Sequence, residues 1–405
     1  MSYVEITALK GIRNDVSPER FAPGDLVYAR NVDIDETGKA TQRGGTEIVF
    51  AGPAHSLWSD GQQGFFVQGG ILYRFLSDGT KSGLCAVQDL VHYVGINNTV
   101  FWTDGVSTGA IREGVNTPWG ITPPGACSAL PSKNGTLLAG DYTVVVTYED
   151  VDGRESGASP AAAVIVGVLR PKHDSVGVCG GIEVTIPSPA TPGVALANVY
   201  VGAAGGAPLL IASVPAGSIF TIDSLDSATV PLRGVSLGAP PAGQLLGYYS
   251  GRAYVASGQF LFFSQPFEYD LFNLGTDFIA LPGDIRTFSA VGDGIFVGTS
   301  DRTYFLDGAD ADAFVCRVAS PYGTISGTEQ AAGTDALEDG APGRPKTGTS
   351  ANAFWMSRRG LVVGSDGGVI KDVTTKRYLP PAASAGGSLL RRGNGSPVYV
   401  VSLFN

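Results

Sequence analysis

Residues 245–310 read LLGYYSGRAYVASGQFLFFSQPFEYDLFNLGTDFIALPGDIRTFSAVGDGIFVGTSDRTYFLDGAD. Short apolar runs such as Arg252–Ala256 and Gln259–Ser264 are separated by one or two Gly, Ser or Asp residues. Segments of about 4–8 β-forming residues, closed by turns that need a positive φ, spell β-hairpins. The unit then repeats: Gly294–Thr299 is followed, after Ser300, Asp301 and Arg302, by Thr303–Leu306. No helical period runs through it. The chain is expected to be built by reiterating this hairpin.

Composition agrees. At 405 residues the chain is too long for one ordinary core, so two or more units are expected. Its 57 glycines and 25 prolines are dispersed, as many short strands joined by tight turns require. The net charge of −10 repels polyphosphates at long range, which disfavours a nucleic-acid grip. It leaves room for a passive surface along which DNA slides. The opening MSYVEITALKG lacks the basic-then-apolar pattern of a signal peptide, and no apolar run approaches the ~20 residues of a membrane helix. A cytoplasmic product without a secretion signal is the expectation.

Outward from the decisive stretch, the same grammar recurs on the N-terminal side. His55–Asp60, Gly64–Gln68 and Ile71–Leu76 form one unit; Leu90–Gly95, Thr99–Thr103 and Thr108–Glu113 form the next. Matching strands lie about 35–45 residues apart, the period of propeller blades. Before them, Tyr3–Ala8 reads as a strand, Asp25–Asn31 as one helical turn, and Val32–Asp35 as a strand leading into a hairpin loop at 35–39. From Thr122 to about Gly238 the strands lengthen, and Tyr142–Tyr148 alternates. Six or seven strands in that span fit a β-sandwich, and GDYTVVVTYEDVDGRESGASPA resembles the central hairpin of fibronectin type III-like modules. After Gly243 the short-strand pattern resumes to the C-terminus.

The expected fold is therefore all-β: a β-propeller of about six blades, with a fibronectin type III-like β-sandwich inserted. The expected units are 1–121, 122–238 and 239–405, the first and last together forming the propeller. Pro397–Phe404 and an N-terminal strand are expected to share a blade and close the ring. Thr328–Thr349 has no β pattern and reads as a long surface loop. Its charged residues Asp335, Glu338, Asp339, Arg344 and Lys346 are candidates for an interface or channel constriction.

Chemistry is harder to find. His55, His92 and His173 stand at no metal-ligand spacing, and no HExxH or P-loop occurs. A glycan-hydrolysing propeller needs two convergent carboxylates. Asp60, Asp78, Asp104, Asp270, Asp293, Asp301 and Asp366 are the candidates, and most stand beside Gly or Ser as turn residues do. Asp307, Asp310 and Asp312 offer alternating oxygens suited to calcium, without the Glu that completes such a loop. Arg358-Arg359 and Arg391-Arg392 are the only arginine pairs and read as solvated turns. Cys85, Cys127, Cys179 and Cys316 read as four buried small hydrophobes, with a Cys127–Cys179 disulfide as the second reading. No catalytic residue, cofactor or metal is expected.

Two stretches carry a family resemblance. Leu26, Ala29, Asn31 and Val32, then Gly38, Lys39, Arg43, Gly44 and Gly45, are similar to the opening of tail nozzle (tail tubular B, or packaged-DNA stabilisation) proteins of short-tailed bacteriophages. Phe263, Ser264, Pro266, Phe272, Ile285, Gly294, Val297, Thr299, Tyr304, Leu306 and Gly308 resemble that family's propeller unit. The resemblance implies a structural virion protein, not an enzyme. It would form a homomeric ring, a hexamer, below the portal and adaptor rings, with tail fibres or spikes as further partners. DNA would pass through its lumen without sequence-specific binding, and carboxylates there would keep phosphate from adhering. The rival readings are a carbohydrate-binding or glycan-hydrolysing propeller and an adhesin.

Overall fold

The computed structural model describes all residues except 1–5, 7, 36, 46, 168–179, 204, 235, 334–350 and 394–395. The chain is nearly all-β, and its strands gather into many small antiparallel sheets. Five of these are meanders. The first sheet comprises His55–Ser59, Gln63–Gln68, Ile71–Leu76 and Lys81–Ala86; the second, His92–Ile96, Thr99–Thr103, Thr108–Arg112 and Val115–Thr117. The third comprises Leu245–Tyr249, Arg252–Ser257, Phe260–Gln265 and Glu268–Phe272, with Phe278–Ala280 added beside Phe260–Gln265. The fourth holds Ile285–Val291, Gly294–Thr299, Thr303–Asp307 and Val315–Ser320. The fifth holds Gln330–Gly333, Ala351–Ser357, Gly360–Ser365 and Val369–Asp372. A hairpin of Ala385–Gly393 and Ser396–Phe404 ends the chain.

A lone hairpin buries one face at most, so these sheets stack. Phe65, Val67 and Leu72 of the first meet Val100, Trp102 and Ile111 of the second. Phe101 and Ala110 of the second meet Ala253, Val255 and Phe272 of the third. Leu245, Tyr254 and Phe263 meet Ile295, Val297 and Tyr304 of the fourth. Phe296 and Phe305 then meet Trp355 and Val362 of the fifth. Phe354 and Val363 finally pack on Leu390 and Tyr399 of the C-terminal hairpin. Side-chain alternation explains this: each strand sends odd residues to one neighbour and even residues to the other. Contacts among the second, third and fourth sheets concentrate along their first strands: Leu245–Tyr249 lies against both His92–Ile96 and Ile285–Val291.

Between the second and third sheets, residues 128–222 form two further sheets around a core of their own. Ser128–Leu137, Gly180–Thr185 and Ile219–Ile222 make one. Ala162–Val166, Gly140–Asp150, Val194–Ala203 and Leu209–Pro215 make the other, in that lateral order. Val144, Val146, Tyr148, Val199 and Val201 from the second meet Leu137, Ile182, Val184 and Ile222 from the first, all nearly fully buried.

Several local expectations are corrected. Asp25–Leu26 is a short parallel strand beside Gly11–Ile12, not a helical turn. Arg13 and Arg377 both bind the Asp25 carboxylate, and Arg13 N–H donates to the Leu26 carbonyl, fixing an extended backbone. Gln330–Gly333, expected in a patternless loop, is a strand paired with Ala351–Ser357. Ser396–Phe404 pairs with Ala385–Gly393 alone among the described residues. No N-terminal strand joins it there. The N-terminal arm instead reaches the partner strand Ala385–Gly393 through side chains, with Asp33 on Val32–Ile34 bound to Arg391 at 3.0 Å. The arm's Phe50 then stacks on Phe66 of the first sheet, ring centroids 5.3 Å apart. Most of the strand expected at Tyr3–Ala8 lies outside the described residues.

Candidate functional site at the joint between the insertion and the stacked sheets

The insertion is fastened to the stack by charge. Asp270 lies in Glu268–Phe272, the fourth strand of the third sheet. Its Oδ1 is 3.2 Å from Arg112 Nη2, at the end of Thr108–Arg112, and its Oδ2 is 2.9 Å from Arg154 Nη1. Arg154 belongs to the turn after Gly140–Asp150 and also binds Asp150 at 2.6 Å. Asp150 Oδ1 in turn accepts from the backbone N–H of Asp152 and Arg154, which shapes that turn. Arg112 donates to Thr117 Oγ1 and lies over the Phe101 ring. Two arginines and two aspartates thus form a neutral chain linking second sheet, third sheet and insertion.

Burial sets the electrostatics. It pushes the Asp270 carboxyl above its usual range despite the pull of Arg112 and Arg154. It likewise lowers Arg112, against the attraction of Asp270. Arg154 is raised: burial acts downward, but the hydrogen bond to Asp270 and the charges of Asp270 and Asp150 prevail. Apolar and hydrogen-bonded contacts run alongside. Trp119, 1% exposed, donates from Nε1 to the Tyr269 carbonyl, and Gly238 exchanges backbone hydrogen bonds with Phe272. Both carboxylates of the cluster are engaged by arginines. What it can do chemically is hold two units in register.

The residues singled out in the sequence fall elsewhere. Asp335, Glu338, Asp339, Arg344 and Lys346 lie outside the described residues, as does His173. Asp60, Asp78 and Asp104 accept backbone N–H bonds within their own turns. Asp293 and Asp366 accept across neighbouring turns, from Gly367 and Gly292. Asp270 departs from this turn role: it stands mid-strand between Tyr269 and Leu271, a position from which a charge needs partners. That flanking was the available signal. Arg112 and Arg154 gave none.

The possible calcium loop is occupied by an arginine. Asp310 caps a short 3-10 turn at Ala311–Ala313, and Arg252 lies 3.0 Å from Asp312 and 3.5 Å from Asp310. Among the described residues no cluster of three His, Cys, Asp or Glu side chains could hold a metal. Burial pushes His92 down to about 4, against the pull of Asp89. Arg359 lies over the Tyr322 ring and donates to its hydroxyl. Arg358 lines a cleft of about 600 Å³ together with Arg286 and Pro380–Pro381. Cys127 is buried, Cys85 is half-buried, and neither is in a disulfide among the described residues. Cys316 corrects the expectation of burial: it is exposed, on the outermost strand of the fourth sheet. Cys179 lies outside the described residues. No described helix is long and apolar enough to cross a membrane.

No protein-family model matches the chain, and no curated protein matches it. Among solved structures it is similar to BBS1N, solved in complex with ARL6DN, at 12% identity and a TM-score of 0.29, covering 87% of this chain and 90% of that one. It is also similar to the AfRom2 CNH domain, at 8% identity and a TM-score of 0.26, covering 86% and 94%. The computationally designed Ika8 protein follows at 11% identity and a TM-score of 0.17, covering 78% and 95%. Likenesses at these scores carry no inference about function.

Proposed function

We propose that this chain is a structural subunit of a short bacteriophage tail. Copies form a nozzle ring, a hexamer, that extends the portal-adaptor channel, retains packaged DNA and conducts it during ejection. In this reading the five stacked sheets, the C-terminal hairpin and the N-terminal arm make a propeller of about six blades, and residues 122–238 are a fibronectin type III-like insertion. The tail adaptor ring is its partner, with fibres or spikes as further ones, and the virion tail is its location.

One observation carries the reading: most residues of the second stretch of the family resemblance are buried in the architecture. Phe263, Ser264, Phe272, Ile285, Val297, Thr299, Tyr304 and Leu306 are all buried where the third and fourth sheets meet or within them. In the opening stretch Asn31 and Gly38 take positive φ, 57° and 81°, at the entry and loop of the Val32–Ile34 and Ala40–Gln42 hairpin. Arg43 binds Asp33 at 2.7 Å, and Asp33 also binds Arg391. A resemblance spread over packing and joining residues supports likeness of the whole build, which is what an architectural family shares.

The test is assembly. The purified protein, alone and mixed with a short-tailed phage's adaptor ring, is imaged by negative stain and weighed by light scattering. Rings of six copies are expected. A monomer in both conditions, or release of reducing sugar from polysaccharide, counts against the reading.

A further inference from the structure

A cleft of about 470 Å³ opens between the segment leaving the insertion and the third sheet. Its charged lining is balanced: Arg233 and Arg252 against Asp277 and Asp312, two of each sign. These groups are held in place by partners. Arg252 donates from Nη1 to the Ser264 carbonyl at 2.9 Å and from Nη2 to Asp312 at 3.0 Å, with its guanidinium over Phe263. Gln265 donates to the Asp277 carboxylate, and Arg233 pairs with Glu268.

Phe267 adjoins this cleft in the chain: it follows Pro266, which lines the cleft, and a Cβ added to Gly251, beside Arg252, would meet its ring at 2.9 Å. The residue is nonetheless 75% exposed, and its backbone sits at φ 59°. A bulky side chain there is strained where Gly or Asn would not be. An exposed aromatic at a strained turn points to a ligand that uses its face.

We propose that this cleft binds a neutral saccharide, whose C–H face stacks on Phe267 while its hydroxyls exchange hydrogen bonds with the fixed carboxylates, amide and guanidiniums. Hydroxyls both donate and accept, so they suit a lining that mixes both kinds. The balance of charge argues against a phosphate or an acidic peptide, for which arginines without acidic neighbours are the fitting surface. The site does not depend on ring assembly: a monomer binds as well as a ring.

The test is saturation-transfer NMR on the full chain with maltohexaose, cellohexaose, chitohexaose and mannohexaose at millimolar concentration, beside inorganic phosphate and a hexaglutamate peptide. At least one neutral hexaose is expected to bind. Phe267→Asn, which suits the turn and removes the ring, is expected to weaken it about tenfold, while Phe267→Tyr retains it. Melting curves establish that both variants are folded. No binding of any hexaose, binding indifferent to Phe267→Asn, or preferential binding of phosphate or hexaglutamate overturns the proposal.

Discussion

Asp33, on the first hairpin of the chain, and Arg391, on the last, form an ion pair at 3.0 Å. The same carboxylate takes Arg43 from its own hairpin at 2.7 Å. Asp33 is thereby held below the usual carboxylate range, first by the hydrogen bond to Arg43 and then by that to Arg391. A depressed carboxyl contributes above its unfolded pKa, near 4, and loses that contribution as pH falls through the lower folded value. Hydrogen exchange in residues 32–43 should therefore speed up, relative to intrinsic rates, below about pH 4. Asp33→Asn should give faster exchange already at pH 7. Exchange indifferent to both changes would show that the pair fastens nothing.

The joint cluster behaves differently because it is less exposed. Asp270→Ala leaves Arg112 and Arg154 half-buried without their common partner. Breaking a buried pair costs about 3–5 kcal/mol, and partial exposure reduces this to about 2–3 kcal/mol. Urea unfolding reads the loss. A cost under half a kilocalorie would mean the arginines find water instead.

Trp119 tests the apolar half of the same joint. Trp119→Ala should cost about 3–5 kcal/mol, as truncation of a buried aromatic does. Trp119→Phe keeps most of the packing and removes the bond to the Tyr269 carbonyl, for about 1 kcal/mol. Equal losses from both changes would assign the residue's role to its hydrogen bond.

Glu329 sets a pH limit on the C-terminal hairpin. Its Oε2 is sealed from solvent without a hydrogen-bond partner among the described residues, and burial pushes the carboxyl up to about 7. Around it Gln330 donates to Ser388, and Tyr399 donates to the Thr328 carbonyl. A raised carboxyl contributes fully below its unfolded pKa, and that contribution fades as pH rises through the folded one. Protection of the hairpin amides, corrected for intrinsic rates, should decline between pH 5 and 8. Glu329→Gln should flatten the decline. A flat profile in the unaltered protein would sink the idea.

The strands legible in the sequence are the inner ones. Gly64–Gln68, Thr99–Thr103 and Gly294–Thr299 are apolar on both faces because sheets pack on both sides of them, and Gly, Asn or Asp marks their turns. The outer strands Lys81–Ala86, Val115–Thr117 and Val315–Ser320 were not visible. They are short or largely exposed, as KSGLCA and VCRVAS show, so burial never imposed a pattern on them. Gln330–Gly333 escaped for another reason: Gln-Ala-Ala-Gly has almost no β propensity, and its strand state comes from pairing with Ala351–Ser357. The joint cluster was legible only at Asp270, since Arg112 and Arg154 reach it from a strand end and a turn distant in sequence.

Gly120 and Ala239 stand on either side of the insertion in the chain yet touch in space. A Cβ at position 120 would lie 3.0 Å from the Ala239 Cα. The polypeptide thus leaves the stacked sheets and re-enters them at one spot, like a detour that returns to its own junction. The scaffold's continuity does not pass through the detour. A guest module of another size or surface could stand there while the stack kept its path, with Asp270 as the socket any replacement would have to fill.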